Sequence, residues 1–402
     1  MRRQTTAGRV LHDLHNRGPL AWVIFALLSV FYVFLYSGFY SSSWTPLDQV
    51  LFGRPLLDEW GRAIFDLLLP SAMVEAMEPG RWSLYGLGYT LAISAGGAWM
   101  IRKYRHNAYQ IVRTSVVIVV QATFAFSIPH LLKFFHQPDY YFSYIWPLKI
   151  DYLDPSYINY VSGSYSPAWP YVVYSFLAAI VLVPVMALLF GKRWYCSWIC
   201  GCGGLANTFG EPWRHLSNKS TAAWKFEKVS IHAVLVLASA GTGLWLMSVL
   251  LPETWQLGRA GDIFRRGYGI AVTASLSGIA GVSLYPLLGT RVWCRFFCPM
   301  AALLGLLQKF GRFRIRVKRH MCISCGMCSK YCEMGIDVRS YAQANRSFTR
   351  ASCVGCGLCS EVCPRGVLRL ENQRPWDPQE LTMRGHAVEG WKGHESTIDG
   401  VR

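Results

Sequence analysis

Residues 322–332 read CISCGMCSKYC, and residues 353–364 read CVGCGLCSEVCP. In each stretch, two residues separate the first cysteine from the second and the second from the third. Three residues separate the third cysteine from the fourth. In the bacterial ferredoxin pattern, three close thiolates ligate one 4Fe-4S cluster and the fourth thiolate ligates the other cluster. The spacing therefore predicts a C-terminal ferredoxin-like domain that holds two 4Fe-4S clusters.

The same pattern assigns four ligands to each cluster. The first cluster is predicted to bind Cys322, Cys325, Cys328 and Cys363. The second cluster is predicted to bind Cys332, Cys353, Cys356 and Cys359. Gly326, Gly355 and Gly357 lie between these cysteines and are expected to allow the tight backbone turns that a cluster needs.

A structural zinc site is the alternative, because paired Cys-x-x-Cys units also bind zinc tetrahedrally. Three close cysteines plus a fourth, present twice, would leave thiolates unused around zinc, so iron-sulfur is favoured. The two runs differ at one position, since Glu333 follows Cys332 where Pro364 follows Cys363. We expect this difference to loosen the turn or to alter the polarity around one cluster without removing a ligand.

The rest of the chain has the composition of a membrane protein. Of its 402 residues, 52% are hydrophobic and only 16% are charged. A helix needs about 20 residues to cross a hydrocarbon layer of about 30 Å. Windows without Asp, Glu, Lys or Arg that meet this length lie at 20–39, 82–101, 114–132, 171–190, 229–251 and 268–290. The sequence therefore predicts a mainly α protein with a six-helix transmembrane bundle at 20–310.

Basic residues predict the orientation of this bundle. They cluster before the first window, between the second and third, and between the fourth and fifth, at Arg2, Arg3, Arg9, Arg17, Arg102, Lys103, Arg105, Arg113, Lys192, Arg193, Arg214, Lys219, Lys225 and Lys228. By the positive-inside rule these segments belong to the cytoplasm. Six spans then place both termini and the iron-sulfur domain on the cytoplasmic side of a bacterial inner membrane. The Arg2-Arg3 pair could mark an export signal, but the apolar stretch that follows is long and no small-residue cleavage site comes after it. We therefore expect this stretch to be a retained first helix.

The formal net charge of +17 could suggest nucleic acid. The basic residues instead gather at the expected inner face, where anionic lipid attracts them, so we expect no nucleic-acid partner. Arg312, Arg314, Arg316, Lys318 and Arg319 alternate with apolar residues, as in a strand, and could serve lipid headgroups or an acidic electron carrier. We divide the chain into an N-terminal segment 1–19, a membrane domain 20–310, an iron-sulfur domain 311–370 and a polar tail 371–402.

A second group of cysteines belongs to an internal repeat. Gly191, Arg193 and Tyr195 precede Cys196 and Cys200, just as Gly289, Arg291 and Trp293 precede Cys294 and Cys298. Cysteines four apart are expected on one face of a helix, so each pair could offer two thiolates to the other. Pro299 is expected in the first turn of a following helix, with 301–310 as an interfacial amphipathic segment.

These motifs resemble those of the NapH-type and NosR-type polytopic iron-sulfur proteins, a family that also includes a cytochrome oxidase assembly factor. The resemblance rests on two Cys-x-x-x-Cys-Pro motifs at helix ends and a C-terminal pair of ferredoxin motifs. The second motif, 294–299, matches in full, whereas Gly201 and Cys202 follow Cys200 in the first. No flavin-attachment domain of the NosR type fits into the outer loops.

Three interpretations stay open for Cys196, Cys200, Cys294 and Cys298, with Cys202 as a fifth thiolate. They could hold a third metal centre, most plausibly iron-sulfur. One pair could be a redox dithiol whose pKa is lowered by Arg193, Arg291 and Arg295. They could also form a static disulfide, which a reducing cytoplasm disfavours.

The histidines do not predict a haem. His130 and His136 lie near the outer end of the third window, and His232 lies near the inner end of the fifth. No pair on two helices shares one depth, so interfacial hydrogen bonding is the favoured role. Because no Cys-x-x-Cys-His occurs, the sequence also excludes a covalently attached c-type haem.

The resemblance implies one-electron transfer between a quinol or cytoplasmic donor and a respiratory or periplasmic redox partner, with a quinone as a further cofactor. The chain would then be an electron-transfer subunit, for example of a quinol dehydrogenase. Two other classes stay open: a maturation factor that reduces metal or thiols for a redox enzyme, and a redox sensor. The donor, the acceptor and the direction of flow do not follow from the ligands.

Overall fold

A computed structural model of the chain is mainly helical, and it describes residues 18–37, 46–137, 140–153, 169–250 and 257–372. In the first 137 residues the helices are Pro19–Tyr36, Leu47–Phe52, Leu56–Leu68, Ser71–Met77, Arg81–Lys103, Ala108–Val120 and Ile128–Phe134, with a π-helical stretch at Gln121–Ser127. The N-terminal segment 1–17 and the tail 373–402 lie outside the described residues.

The second half of the bundle is divided into shorter helical pieces. Its α-helices are Trp169–Leu177, Val183–Phe190, Arg193–Cys196, Gly201–Asn207, Thr221–Leu250, Leu257–Tyr268, Gly281–Ser283, Tyr285–Leu288 and Pro299–Gln308. π-Helical stretches lie at Ala178–Leu182, Gly269–Ala280 and Trp293–Phe297, and 3-10 turns at Ile150–Leu153 and Glu211–Leu216. The C-terminal domain adds the helices Met327–Lys330, Val338–Gln343 and Leu358–Glu361.

Four helices in the described residues are long and apolar enough to cross a membrane. They are Pro19–Tyr36, Ala108–Phe134, Trp169–Phe190 and Thr221–Ser248. The predicted window 82–101 lies in the helix Arg81–Lys103, which four glycines make less apolar, and 268–290 is divided among short segments. The chain is therefore mainly helical with four candidate spans, and the count of six stays a prediction.

One hydrophobic core runs from the helical bundle into the C-terminal domain. It contains Val183 and Ala238 from the bundle and Ile315 and Val354 from the C-terminal domain. The helix Pro299–Gln308 lies between these parts and packs against both Thr221–Leu250 and Val183–Phe190. This packing buries apolar surface from both parts together, so the C-terminal domain is held against the bundle by a shared core.

The helix Pro299–Gln308 corrects one expectation from the sequence. Residues 301–310 were expected to form an interfacial amphipathic segment, but Met300, Leu304 and Gln308 are completely buried. The Gln308 side chain also donates hydrogen bonds to the carbonyls of Arg350 (2.8 Å) and Cys353 (3.1 Å). The helix is therefore part of the core, because the C-terminal domain covers the face that was expected to meet lipid.

A two-stranded antiparallel sheet closes the C-terminal domain. Strand β1 (Phe313–Val317) pairs with β2 (Leu368–Asn372), with Val317 opposite Leu368. The apolar residues of β1 are buried and its arginines are half-buried, which is the period of two that a strand imposes. The predicted strand is thus confirmed, and it joins the beginning of the domain to its end.

Candidate iron-sulfur site

Two cavities in the C-terminal domain are each lined by four cysteines. Cys322, Cys325, Cys328 and Cys363 line one of them, which we call the distal cavity. Cys332, Cys353, Cys356 and Cys359 line the other, which we call the proximal cavity. The structure therefore brings together the same two sets of thiols that the ferredoxin pattern assigns, although their ligation of clusters stays a prediction.

Glycines with positive φ allow the backbone to wrap these cavities. Gly326 (φ +74°) and Gly357 (φ +79°) each precede a one-turn helix that carries a cysteine, and Gly355 has φ +62°. A Cβ on Gly355 would lie 2.7 Å from the Cβ of Arg193. All three glycines thus have the positive φ of a tight turn, and at Gly355 a side chain would add steric overlap to backbone strain.

The donor sets fit a group larger than a single ion. In the ranges that the structure describes, no group of three or more His, Cys, Asp or Glu residues converges to hold one metal ion. A tetrahedral zinc site needs four thiolates about 2.3 Å from a common point. Four thiols spread around a cavity, twice over, match the ligand number of two 4Fe-4S clusters better.

The proximal cavity faces the membrane domain, whose side chains hydrogen-bond its binding loop. Three consecutive carbonyls of this loop accept hydrogen bonds from the bundle. The pairs are Ser197 Oγ to Val354 O (2.6 Å), Tyr109 Oη to Gly355 O (2.8 Å), Gln110 Nε2 to Cys356 O (2.9 Å) and Arg113 Nη1 to Cys356 O (3.0 Å). These bonds fix the loop against the bundle and satisfy carbonyls that would otherwise be buried without partners.

The distal cavity lies at the exposed end of the domain. Cys325 is exposed, and Ile323 beside it keeps 54% of its surface accessible. Arg339 and Arg365 line the same cavity and are also exposed. The two cavities therefore differ in their surroundings, with exposed residues bordering the distal cavity and the bundle packed against the proximal one.

Glu333, which replaces the expected proline, forms a buried ion-pair network. Its carboxylate lies 2.9 Å from Arg291 Nη2 and 3.1 Å from Arg214 Nη1, and all three side chains are at most 1% exposed. Burial alone would raise the pKa of Glu333, but Arg291 and Arg214 hold it at about 2. The carboxylate is therefore charged, and it links the C-terminal domain to two arginines of the membrane domain.

The expectation that Glu333 loosens its turn is wrong. Gly335 N donates to Cys332 O at 3.1 Å, and Gly366 N donates to Cys363 O at the same distance. The thiols of Cys332 and Cys363 also accept equivalent backbone hydrogen bonds, at 3.4 and 3.3 Å. Both turns have the same hydrogen bonds, because these bonds need only a backbone N–H three residues after each cysteine for its carbonyl and four residues after it for its thiol.

Several basic residues that were assigned to the lipid-facing surface are instead buried. Arg113, Lys192 and Arg214 are at most 1% exposed. Lys192 Nζ lies 3.3 Å from Ala351 O, and Arg113 contacts Cys356 O, so both reach the C-terminal domain. Sequence reasoning missed these contacts, because positive charge before a membrane span predicts orientation and not which charges the folded domain covers.

The repeated cysteine motifs have matching backbone structures. Gly191 (φ +70°) and Gly289 (φ +88°) each end a helix, and Cys200 and Cys298 each precede the first residue of the next one. The expected arrangement of each pair on one helical face is wrong. The first cysteine of each motif lies in the short segment before a turn and the second begins a new helix, because Gly201 and Pro299 start that helix.

We call Cys196, Cys200, Cys294 and Cys298 the helix-end cysteines. Their thiols are buried and close enough to interact electrostatically with one another. All thirteen cysteines lie in the described residues and are free there. Gly203 packs against the Cys196 carbonyl of its own motif, and a Cβ there would also lie 3.1 Å from Arg291 Nη1 of the second motif.

The charges around the helix-end cysteines differ from the predicted ones. Burial raises the pKa of Cys196 to about 12, although Lys192 and Arg291 oppose this shift. A hydrogen bond from Cys202 lowers the pKa of Cys200 to about 7. Of the three arginines that were expected to act on the thiols, Arg291 Nη1 lies 3.7 Å from Cys294 Sγ.

The other two arginines are engaged elsewhere. Arg193 stacks over the Phe313 ring at 5.2 Å, and Arg295 forms a 2.7 Å ion pair with Glu227. Their guanidinium groups are thus directed to aromatic and acidic partners, which compete with the thiols for the same cations.

The histidines make local hydrogen bonds. His130 Nδ1 bonds to Phe126 O, and His232 Nδ1 bonds to Lys228 O, each at 2.7 Å and four residues back along its own helix. This geometry agrees with the favoured hydrogen-bonding role. The ring nitrogens that would ligate a shared haem are not brought together from different helices at these two positions.

Family comparisons agree with the two groups of cysteines. Residues 315–370 match the family model of a 4Fe-4S dicluster domain, and residues 172–219 and 271–318 match that of a 4Fe-4S binding domain. The latter two segments contain the two helix-end motifs. No solved structure matches the chain.

Among curated proteins, YccM of Escherichia coli is 27% identical over 41% of this chain and 47% of its own length. The methylamine utilization ferredoxin-type protein MauN of Methylobacillus flagellatus is 26% identical over 39% of this chain and 53% of its own. The ferredoxin-type protein NapH of Escherichia coli is 26% identical over 39% and 53%. The chain spans about half the length of the curated relatives it matches.

The helices and the two matched domain types define a membrane iron-sulfur protein of ferredoxin type. Over about two fifths of its length the chain is similar to ferredoxin-type proteins such as MauN and NapH.

Proposed function

We propose that the chain transfers electrons through its iron-sulfur clusters between a quinol or cytoplasmic donor and a respiratory or periplasmic redox partner. One observation carries this proposal: two four-cysteine cavities lie in one domain, one bordered by exposed residues and the other against the membrane domain. This arrangement suits a relay with one end at a soluble carrier and the other at the bundle. The curated relatives MauN and NapH, both described as ferredoxin-type proteins, support it.

Each cavity would hold one 4Fe-4S cluster, which supplies one-electron chemistry when bound. Cys322, Cys325, Cys328 and Cys363 would ligate the distal cluster, and Cys332, Cys353, Cys356 and Cys359 the proximal one. The chain's own part is to fix the thiols with positive-φ glycines and backbone hydrogen bonds. The bundle packs against the loop of the proximal cavity, whereas exposed residues such as Cys325 border the distal cavity.

The helix-end cysteines would form a third centre between the proximal cavity and the bundle. Their thiols interact electrostatically with one another, and Arg291 contacts both Cys294 and the Glu333 carboxylate. The 4Fe-4S binding match over both motifs supports iron-sulfur as the group they hold. Cys202, which hydrogen-bonds Cys200, would then be a neighbour of this centre.

The membrane orientation is also part of the proposal. The six predicted windows would all span a bacterial inner membrane, with both termini and the iron-sulfur domain in the cytoplasm. The helix Arg81–Lys103 and the segments of 268–290 would supply the two spans beyond the four long apolar helices. The positive-inside distribution supports this orientation, because the exposed basic residues Arg105 and Lys225 lie on the side of the clusters.

The test separates a conduit from a maturation factor. A conduit is needed for every turnover, whereas a maturation factor is needed only while its target is assembled. The protein should be depleted after its partner system is complete, and electron flux should be followed in the depleted membranes. We expect flux to stop promptly, and flux that persists for many turnovers would instead support a maturation role for the helix-end cysteines.

A further inference from the structure

Positive charge is concentrated without sufficient counter-charge under the proximal cavity. Arg113, Arg214 and Arg291, which we call the arginine set, are 0 to 1% exposed, and Lys192 beside them is also fully buried. In the described residues, Glu333 is the carboxylate that pairs with Arg214 and Arg291. Glu211 also interacts electrostatically with Arg214, but it is paired with Lys103. The buried cations therefore outnumber the nearby carboxylates, although buried charges are ordinarily paired.

Arg113 shows the imbalance most clearly. Its Nη1 donates to the carbonyl of Cys356, and it contacts no carboxylate among the described residues. Its Nε and Nη2 are buried and have no hydrogen-bond partner. A guanidinium in such surroundings is costly unless an anion lies nearby, because it cannot lose its charge.

The thiols supply the missing anion. Cys356 of the proximal set interacts electrostatically with Arg113 and Arg214, and Lys192 interacts with Cys353 and Cys196. An iron-sulfur core with four thiolates is an anionic group, and each added electron makes it more negative. The surplus cations therefore fit a cluster in the proximal cavity and favour its reduced state.

The distal cavity lacks this arrangement. The cations that line it, Arg339 and Arg365, are exposed, so water and salt screen their charge. Burial by itself disfavours additional negative charge in the proximal cavity. Three guanidinium groups in the same low-dielectric region oppose that penalty, because Coulomb attraction there is several times stronger than at the surface.

We propose that the arginine set makes the proximal cluster the electron-accepting member of the pair, so that electrons run from the distal cavity toward the membrane domain. This inference rests on the proposed electron-transfer function. With clusters held by the two cysteine sets, one electron would pass from the distal to the proximal cluster, oxidising the first and reducing the second, with no bond made and no proton transferred. The set thus gives the relay a direction that the ligand types alone do not specify.

Potentiometric EPR on the purified full-length protein tests the proposal. Cys356→Ser and Cys325→Ser first assign the two cluster signals. Arg113→Gln and Arg214→Gln should then each lower the midpoint potential of the proximal signal by at least about 59 mV. For a one-electron couple this is a tenfold change in the equilibrium constant for reduction. Arg339→Gln is the matched control, and it should leave the proximal midpoint unchanged.

Arg113→Lys keeps the charge and guards against a purely structural effect. The Arg113→Lys variant should keep the proximal signal near its wild-type midpoint potential. We expect this even if Arg113→Gln loses the proximal cluster. The proposal is overturned if the glutamine variants keep both clusters at unchanged midpoints, or if the lysine variant behaves like the glutamine variant. A wild-type protein without iron-sulfur signals would instead remove the proposed function itself.

Discussion

Arg291 Nη2 lies 2.9 Å from Glu333 Oε1, and both side chains are completely buried. Arg291 is three residues before Cys294, and Glu333 directly follows Cys332. A single ion pair therefore connects the helix-end cysteines to the proximal cavity. It holds the two groups of thiols at a fixed separation across the junction of the membrane and C-terminal domains.

Breaking this ion pair should destabilise the junction. Glu333→Gln leaves Arg291 and Arg214 buried with no carboxylate, and removal of one partner of a buried pair costs about 3–5 kcal/mol. We expect the variant to lose iron from the proximal cavity at a lower denaturant concentration than wild type. Iron-sulfur absorbance followed during denaturant titration measures this loss.

Glu59→Gln is the matched control for that variant. Glu59 pairs with Arg54 at 3.7 Å, and both side chains are largely exposed. Such surface pairs contribute about 0–1 kcal/mol, so the control should behave like wild type. Equal losses in the two variants would show that burial of the Glu333 pair has no special role.

The sequence predicted the cysteine sets better than their surroundings. The spacing of the eight cysteines from Cys322 to Cys363 was enough to predict that the fourth cysteine of each run joins the other run's set. This was possible because residue type and spacing are local properties of the motif. Glu333 was visible as a departure from proline, but its partners Arg214 and Arg291 lie 119 and 42 residues away along the chain. Only the packing of the two domains brings these charges together.

The helix-end cysteines should act as one unit. Cys196→Ser and Cys298→Ser should cause similar losses of electron transfer, and the double variant should be little worse than either, since residues that act together are strongly non-additive. If the four thiols hold a third cluster, each variant should also lack about four irons of a total of about twelve. Iron analysis and turnover of the same preparations measure both effects.

Multiplicative losses in that series would contradict a shared centre and indicate that the two pairs have separate roles. Cys202→Ser is the internal comparison, because Cys202 contacts Cys200 but has no counterpart in the second motif. It should keep the iron of the third centre.

Charge reversal at the distal cavity should slow electron exchange with an acidic soluble carrier. Arg339→Glu and Arg365→Glu replace exposed cations beside Cys325 with acids, so the encounter rate should fall, most strongly at low ionic strength. Stopped-flow reduction by an acidic ferredoxin or flavodoxin measures this rate. Arg54→Glu reverses a charge far from the distal cavity in the sequence and should leave this rate unchanged. An equal effect at all three positions would exclude a specific docking surface.

Reporter fusions should place three positions in the cytoplasm. The positions are after residues 105, 219 and 370, which follow an even number of predicted spans. The first fusion follows residue 105 and not the later Arg113 of the same basic segment, because Arg113 is buried in the helix Ala108–Val120. An external signal at residue 370 would put the iron-sulfur domain on the opposite side and would contradict the proposed donor side.

The helices of the membrane domain were easier to predict from the sequence in some segments than in others. Uninterrupted apolar windows such as 171–190 correspond directly to a long helix, because hydropathy and length suffice there. The segment 268–290 has the same apolar character, but Gly281, Leu284 and Pro286 lie at junctions between short helical pieces. Local backbone breaks of this kind are set by packing against neighbours, which composition does not record.

The most direct test of the central claim is iron, acid-labile sulfide and EPR of the anaerobically purified protein and its Cys325→Ser and Cys356→Ser variants. The ligand sets predict about eight irons in the C-terminal domain of the wild-type protein. Each variant should perturb a different cluster signal and leave the other intact. Stoichiometric zinc with no EPR signal after reduction, or loss of the same signal in both variants, would contradict two separate 4Fe-4S clusters in the distal and proximal cavities.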